Sequence, residues 1–144
     1  MSYARRRNIR RDDILRVAND IIRNSERILK KETMEDINTF LDLSEKFGDM
    51  CAHYQYKRKK ISTTQIRGIF NQVKRLSDSF ETSKKDLNLL RPKLAYQKGR
   101  FEVLEPLTNI LIELIKKVND DLTLKGFKEF FEAILAYHKA FGGD

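Results

Sequence analysis

Cysteine occurs once in this 144-residue chain, at Cys51, so neither an internal disulfide nor a cysteine-rich zinc site can be built from one copy. The expected role of Cys51 is a buried structural thiol. Tryptophan is absent, and the two histidines, His53 and His138, are far apart in sequence. Cys51 and His53 lie two positions apart, which on a helix points them to different faces, so no metal site is expected. Two prolines and six glycines are too few for a β-sandwich, while 40% hydrophobic residues are too many for a disordered chain. No apolar run approaches the roughly 20 residues that a membrane-spanning helix needs, and the arginines of MSYARRRNIRRDD have no hydrophobic segment behind them. A cytoplasmic protein without a membrane partner is the expectation. HExxH, a glycine-rich phosphate loop, a serine nucleophile elbow and CxxC are all missing, so neither catalysis nor a cofactor is expected.

What remains is helical periodicity. Ile14, Leu15, Val17, Ala18, Ile21, Ile22, Ile28 and Leu29 recur at three- and four-residue spacing and predict a helix from about Asp12 to Lys31. A second helix begins after Thr33, capped with Asp36 three residues on, turns Ile37, Phe40, Leu41, Phe47, Cys51 and Tyr54 inward, and bends or splits at Gly48. Ser62 or Thr63 caps a third, Thr64 to Phe80, with Ile66, Ile69, Phe70, Val73, Leu76 and Phe80 on its apolar side. A fourth starts near Ser83 or Asp86, is interrupted at Arg91 and Pro92, and resumes to Arg100. The fifth, Glu105 to Asp120, has Pro106 in its first turn, and the sixth, Lys125 to Phe141, carries Phe127, Phe130 and Phe131 and stops at Gly142 and Gly143. The fold class is all-α, a compact bundle of five or six helices: a basic arm over residues 1–11 and a single helical-bundle domain over 12–144.

The net charge of +8 is unevenly placed. Residues 1–11 carry +5, 12–56 carry −4, 57–100 carry +10 and 101–144 carry −3. This alternation separates a basic surface from near-neutral or acidic scaffolding and points to a polyanionic partner. The run Lys57, Arg58, Lys59 and Lys60 forms a basic connector. On the third helix Thr64, Arg67, Asn71 and Lys74 share one face, with Arg75 at its edge. On the fourth, Lys93, Tyr96 and Arg100 fall on one face, with Leu87, Leu90, Leu94 and Phe101 roughly opposite. Cations can neutralise phosphates, and a tyrosine hydroxyl can bond phosphate or ribose, so this pattern suits backbone contact without base reading.

Other readings of the same residues remain. Charge runs commonly form solvated loops, and the protein could be a helical protein-interaction adaptor without nucleic-acid binding, its phenylalanine-rich last helix serving as the interface. A helix-turn-helix around ISTTQIRGIFNQVKR is disfavoured because four consecutive basic residues fill the approach where a short turn from a preceding helix belongs. The arm at Arg5 to Arg11 is either a frayed terminus or a segment that orders on nucleic acid.

Three stretches, Ile61 to Phe70 (ISTTQIRGIF), Arg91 to Arg100 (RPKLAYQKGR) and Phe131 to Gly143 (FEAILAYHKAFGG), occur in the order expected of one family. Over about residues 30–144 the chain resembles the small helical subunit of the type III-A CRISPR effector, the Csm interference complex. The resemblance implies a non-catalytic subunit in antiviral defence, several copies of which stack on one another along a filament opposite the crRNA-holding subunits. Each copy would contact crRNA and target RNA independently of sequence, with target cleavage and cyclic oligoadenylate synthesis left to other subunits. Carried over by residue, the binding surface includes Arg67, Lys93, Tyr96 and Arg100, with Arg91 a further member. Gly68 stands where that pattern expects a polar residue, often asparagine. The third stretch is expected to be structural, with Tyr137, His138 and Lys139 packing the last helix or meeting a neighbouring subunit.

Overall fold

Apolar spacing becomes helix nearly everywhere in the computed structural model, which describes residues 9–144. Arg5 to Arg7 of the expected arm lie outside the described residues. Ile9 is buried and bridges Tyr54, and Arg11 opens the first helix. In order, the helices are α1 (Arg11–Arg23), α2 (Ser25–Lys30), α3 (Met34–His53), α4 (Thr63–Lys74), α5 (Phe80–Arg100), α6 (Glu105–Lys117) and α7 (Asp121–Ala140), with two short strands, β1 (Gln55–Tyr56) and β2 (Lys59–Lys60), between α3 and α4.

Several boundaries differ from expectation, each for a local reason. The first expected helix is two, because the Asn24 side chain donates to the Asp20 carbonyl at 2.8 Å and competes with the backbone ladder. Gly48 does not split α3, which runs unbroken through it. A Cβ there would lie 2.7 Å from Tyr137 Cβ and 3.0 Å from the Ile134 carbonyl, so the missing side chain lets α3 and α7 touch. Leu41, expected inside, is 42% exposed. The third expected helix ends at Lys74, and Phe80 instead starts α5, which Ser79 caps by accepting from Thr82 N–H. Pro92 does not interrupt α5: it lies on the exposed side, while buried Leu87, Leu90 and Leu94 hold the helix to the core.

Helix α7 is the hub, packing on α2, α3 and α4. Phe127, Phe130 and Phe131 are fully buried, with edge-on ring contacts of Phe40 to Phe130 and Phe70 to Phe131 at 5.3 Å each. These rings are core, which removes the surface on which the adaptor reading relied. Asp120 caps α7 in a reciprocal box with Thr123. Beyond Ala140, Gly142 adopts φ +98 and turns the chain back, so that Gly143 N–H meets the His138 carbonyl and the Asp144 carbonyl accepts from Thr63 N–H.

Candidate nucleic-acid interface

Four consecutive basic residues, read from sequence as a connector, fold as a hairpin. Gln55 pairs with Lys60 and Tyr56 with Lys59, leaving a two-residue turn at Lys57 (φ 51) and Arg58 (φ 67). Positive φ at both central positions is the type I′ geometry, in which asparagine and glycine are the favoured residues. Two cations therefore occupy a backbone conformation that costs non-glycine residues roughly 1–2 kcal/mol each. All four basic side chains are exposed.

The hairpin is fixed at its base by buried residues on both sides. Tyr54 and Ile61 are each 2% exposed. His138, itself fully buried, donates from Nε2–H to the Ile61 carbonyl at 3.1 Å and accepts at Nδ1 from the Thr63 hydroxyl at 3.4 Å. Burial lowers the His138 pKa and keeps the ring neutral, more than offsetting the Ile61 hydrogen bond and the Asp144 charge, which act the other way. The first and third of the sequence stretches thus meet inside the protein. Tyr137 stacks on Phe141 at 6.3 Å, whereas Lys139 is exposed.

Ser62 caps α4 in a reciprocal box: its Oγ accepts from Gln65 N–H and Gln65 Oε1 accepts from Ser62 N–H, both at 3.0 Å. Thr64, Arg67, Asn71 and Lys74 are all exposed along one side of this helix, as their spacing predicts. On α5, Lys93, Tyr96 and Arg100 are likewise exposed, Tyr96 at 66%, beside a half-exposed Leu89. Arg91 does not join them. Two positions from Lys93, it lies about 160° around the helix, half-buried, with Nη1 donating to Asn88 Oδ1 at 3.4 Å.

The two helical faces do not merge. A narrow apolar groove separates α4 from α5, lined by Ile69 and Gln72 on one side and Lys93 and Gln97 on the other. Ile69 and Gln72 are about 160° around α4 from Arg67 and Lys74, so the α4 cations face away from the groove. Arg100 instead reaches the hairpin. With Lys57, Lys59 and Lys60 it rims a cleft of about 420 Å³ whose other walls are Tyr56, Gln65, Phe101, Glu102 and buried Val103. Sequence reasoning missed this cleft. It assigned Phe101 to the apolar side of the helix, but α5 ends at Arg100 and turns Phe101 into the cleft wall. The available signal was adjacency, since Tyr56 precedes the basic run and Phe101 follows Arg100.

The charges here have few internal partners. Outside residues 57–100 cations are commonly paired, as in Arg11 with Glu105, Arg27 with Glu35, Lys31 with Glu129 and Lys116 with Glu113. Of the cations within that segment, among the described residues, only Lys57 (with Glu102, 3.5 Å) and Lys84 (with Glu81, 2.8 Å) form ion pairs. The rings carry cations: Lys57 Nζ is 5.3 Å from the Tyr56 centroid and the Arg100 guanidinium 5.1 Å from that of Phe101. No group of three or more His, Cys, Asp or Glu that could hold a metal occurs among the described residues. None of the helices they form is long and apolar enough to cross a membrane. Cys51 is buried, and burial pushes its thiol pKa upward, away from reactivity.

Comparison with known proteins places the bundle. The Csm2 Type III-A family model matches residues 34–144, from the start of α3 to Asp144. A curated relative from Streptococcus thermophilus, the CRISPR system Cms protein Csm2, is 31% identical over 90 residues, covering 58% of this chain and 74% of the relative. No solved structure matches. The family model spans all three sequence stretches and both basic helical faces, and the chain belongs to the Csm2 family, the small subunit of type III-A CRISPR complexes.

Proposed function

We propose that this subunit is a non-catalytic RNA-binding component of its complex, contacting crRNA and target RNA through their backbones without regard to sequence. The observation that carries this reading is the absence of internal counter-ions for Arg58, Lys59, Lys60, Arg67, Lys74, Lys93 and Arg100 among the described residues, on a protein whose other cations are commonly paired. Exposed cations without acid partners are free to replace the counterions condensed on phosphates, and releasing those ions drives binding. Membership of the family supports the presence of other effector subunits as partners. Neighbouring copies aligned along one RNA would add their modest individual affinities through effective concentration.

Lys93→Ala with Arg100→Ala is expected to weaken RNA binding equally for unrelated sequences. It should also lower the slope of log affinity against log salt by about 1.5, at roughly 0.7–0.9 for each phosphate that is no longer neutralised. Arg67→Ala with Lys74→Ala should act alike on the other face. Unchanged binding, or a loss restricted to one sequence, refutes the assignment. A gel-shift titration at low salt with no retarded RNA at any protein concentration refutes the RNA-binding reading.

A further inference from the structure

The hairpin cleft differs in kind from the helical faces. The α4 face presents Arg67 and Lys74 with no ring, a surface that any phosphate chain can satisfy. The cleft joins Lys59, Lys60 and Arg100 at its rim to Tyr56, Phe101 and Val103 within. Its volume of about 420 Å³ lies in the range of small-molecule sites, roughly 300–1,000 Å³. Such a space admits one nucleotide and is too small for a helix. Tyr56 lies against Arg11 and Lys57 and Phe101 against Arg100, so a base that stacks on either ring must shift an exposed cation aside, and its phosphate then meets that cation at the ring's edge.

We propose that this cleft captures a single unstacked nucleotide of a single-stranded RNA segment, with the base against Tyr56 and Phe101 and its phosphates at Lys59, Lys60 and Arg100. This rests on the RNA-binding reading above and narrows it to a substrate class. A duplex keeps its bases stacked inside and offers the cleft only phosphates at the rim, whereas a single strand supplies base and phosphate together. Stacking tolerates every base, so selection for single strands is compatible with indifference to sequence. Glu102 opposes an incoming phosphate. Its ion pair with Lys57 is exposed and therefore easily exchanged for a phosphate.

The test compares the full chain bound, at one salt concentration, to a single-stranded oligouridylate, an abasic ribose-phosphate strand of equal length and an RNA duplex. The oligouridylate is expected to bind about 5-fold or more tightly than the abasic strand. Tyr56→Leu and Phe101→Leu should each remove that preference, Glu102→Gln should tighten all three ligands, and Arg67→Ala with Lys74→Ala should weaken all three alike. Because a leucine variant can fail to fold, the wild-type protein is also crosslinked to 4-thiouridine RNA, with adducts expected at residues 56–60 or 100–103. Equal affinity for the abasic strand, a preference that survives both leucine variants, or one lost only in Tyr96→Leu overturns the cleft assignment while leaving RNA binding intact. No RNA bound at low salt overturns both.

Discussion

Replacing Gly126 with alanine should cost about 2 kcal/mol of stability, whereas the same change at Gly68 should add roughly 0.5–1 kcal/mol. Both glycines lie inside helices, so intrinsic propensity favours alanine at each by up to about 1 kcal/mol. Their surroundings separate them. An ideal Cβ at Gly126 falls onto the Leu29 carbonyl oxygen and stands only 2.7 Å from its carbon and 2.8 Å from its Cα, where ordinary contact begins near 3.4 Å. These are backbone atoms and cannot rotate aside. Helices α2 and α7 must part by about 1 Å or more, a gap that forfeits about half of each dispersion contact around fully buried Ile28, Phe127 and Phe130. Overpacking of that kind costs about 3 kcal/mol before the propensity gain is set against it. Gly68 has nothing within 4 Å of the same ideal atom. Urea unfolding reads both variants, and at about 4 °C per kcal/mol the melting temperature should fall by roughly 8 °C for Gly126→Ala and rise by about 2–4 °C for Gly68→Ala. A Gly126→Ala protein as stable as the parent would refute the close approach of α2 and α7 that organises this half of the bundle.

The hairpin and its anchor make two further changes measurable. The His138 pKa is lowered by burial, so between its folded value and the unfolded value near 6.5 only the unfolded chain binds the proton. Stability should therefore be fully present above about pH 6.5 and fall below it, by at most about 1.4 kcal/mol per pH unit. Urea titrations at pH 7.5 and 5.5 should show that loss, His138→Gln should largely abolish it, and an unchanged pH dependence in the variant argues against the buried neutral ring. Lys57→Asn combined with Arg58→Gly places the favoured residues at the two left-handed positions and should stabilise the protein by about 1 kcal/mol. The same double change should weaken RNA binding and reduce its salt slope, measured by filter binding, and equal RNA affinity would remove the hairpin tip from the interface.

How far sequence and structure each reach follows from the range of the interactions involved. Helical period, capping residues and charge segregation are local, and they identified an all-α bundle, the cap at Thr33 and the exposed side of α4 from the sequence alone, whereas the choice of Ser62 over Thr63 as cap and the burial of the α7 phenylalanines needed the packed structure. Local rules also misled. Gly48 and Pro92 carry intrinsic penalties that predict breaks, but close packing on α7 and a solvent-facing position absorb them. The left-handed pair at Lys57 and Arg58 defeats turn rules written around asparagine and glycine, and its conformation is held by Tyr54, Ile61 and His138, the last of these 77 residues from its Ile61 partner. Similarly, Arg100 and Lys60 are distant in the chain, and only the end of α5 and its return through Phe101 bring them to one cleft. The sequence by itself determined which residues carry charge and where the helical period runs, because both depend on side-chain chemistry and short-range order. The tertiary structure alone decided which cations share a surface, because that depends on where each helix stops and what it packs against.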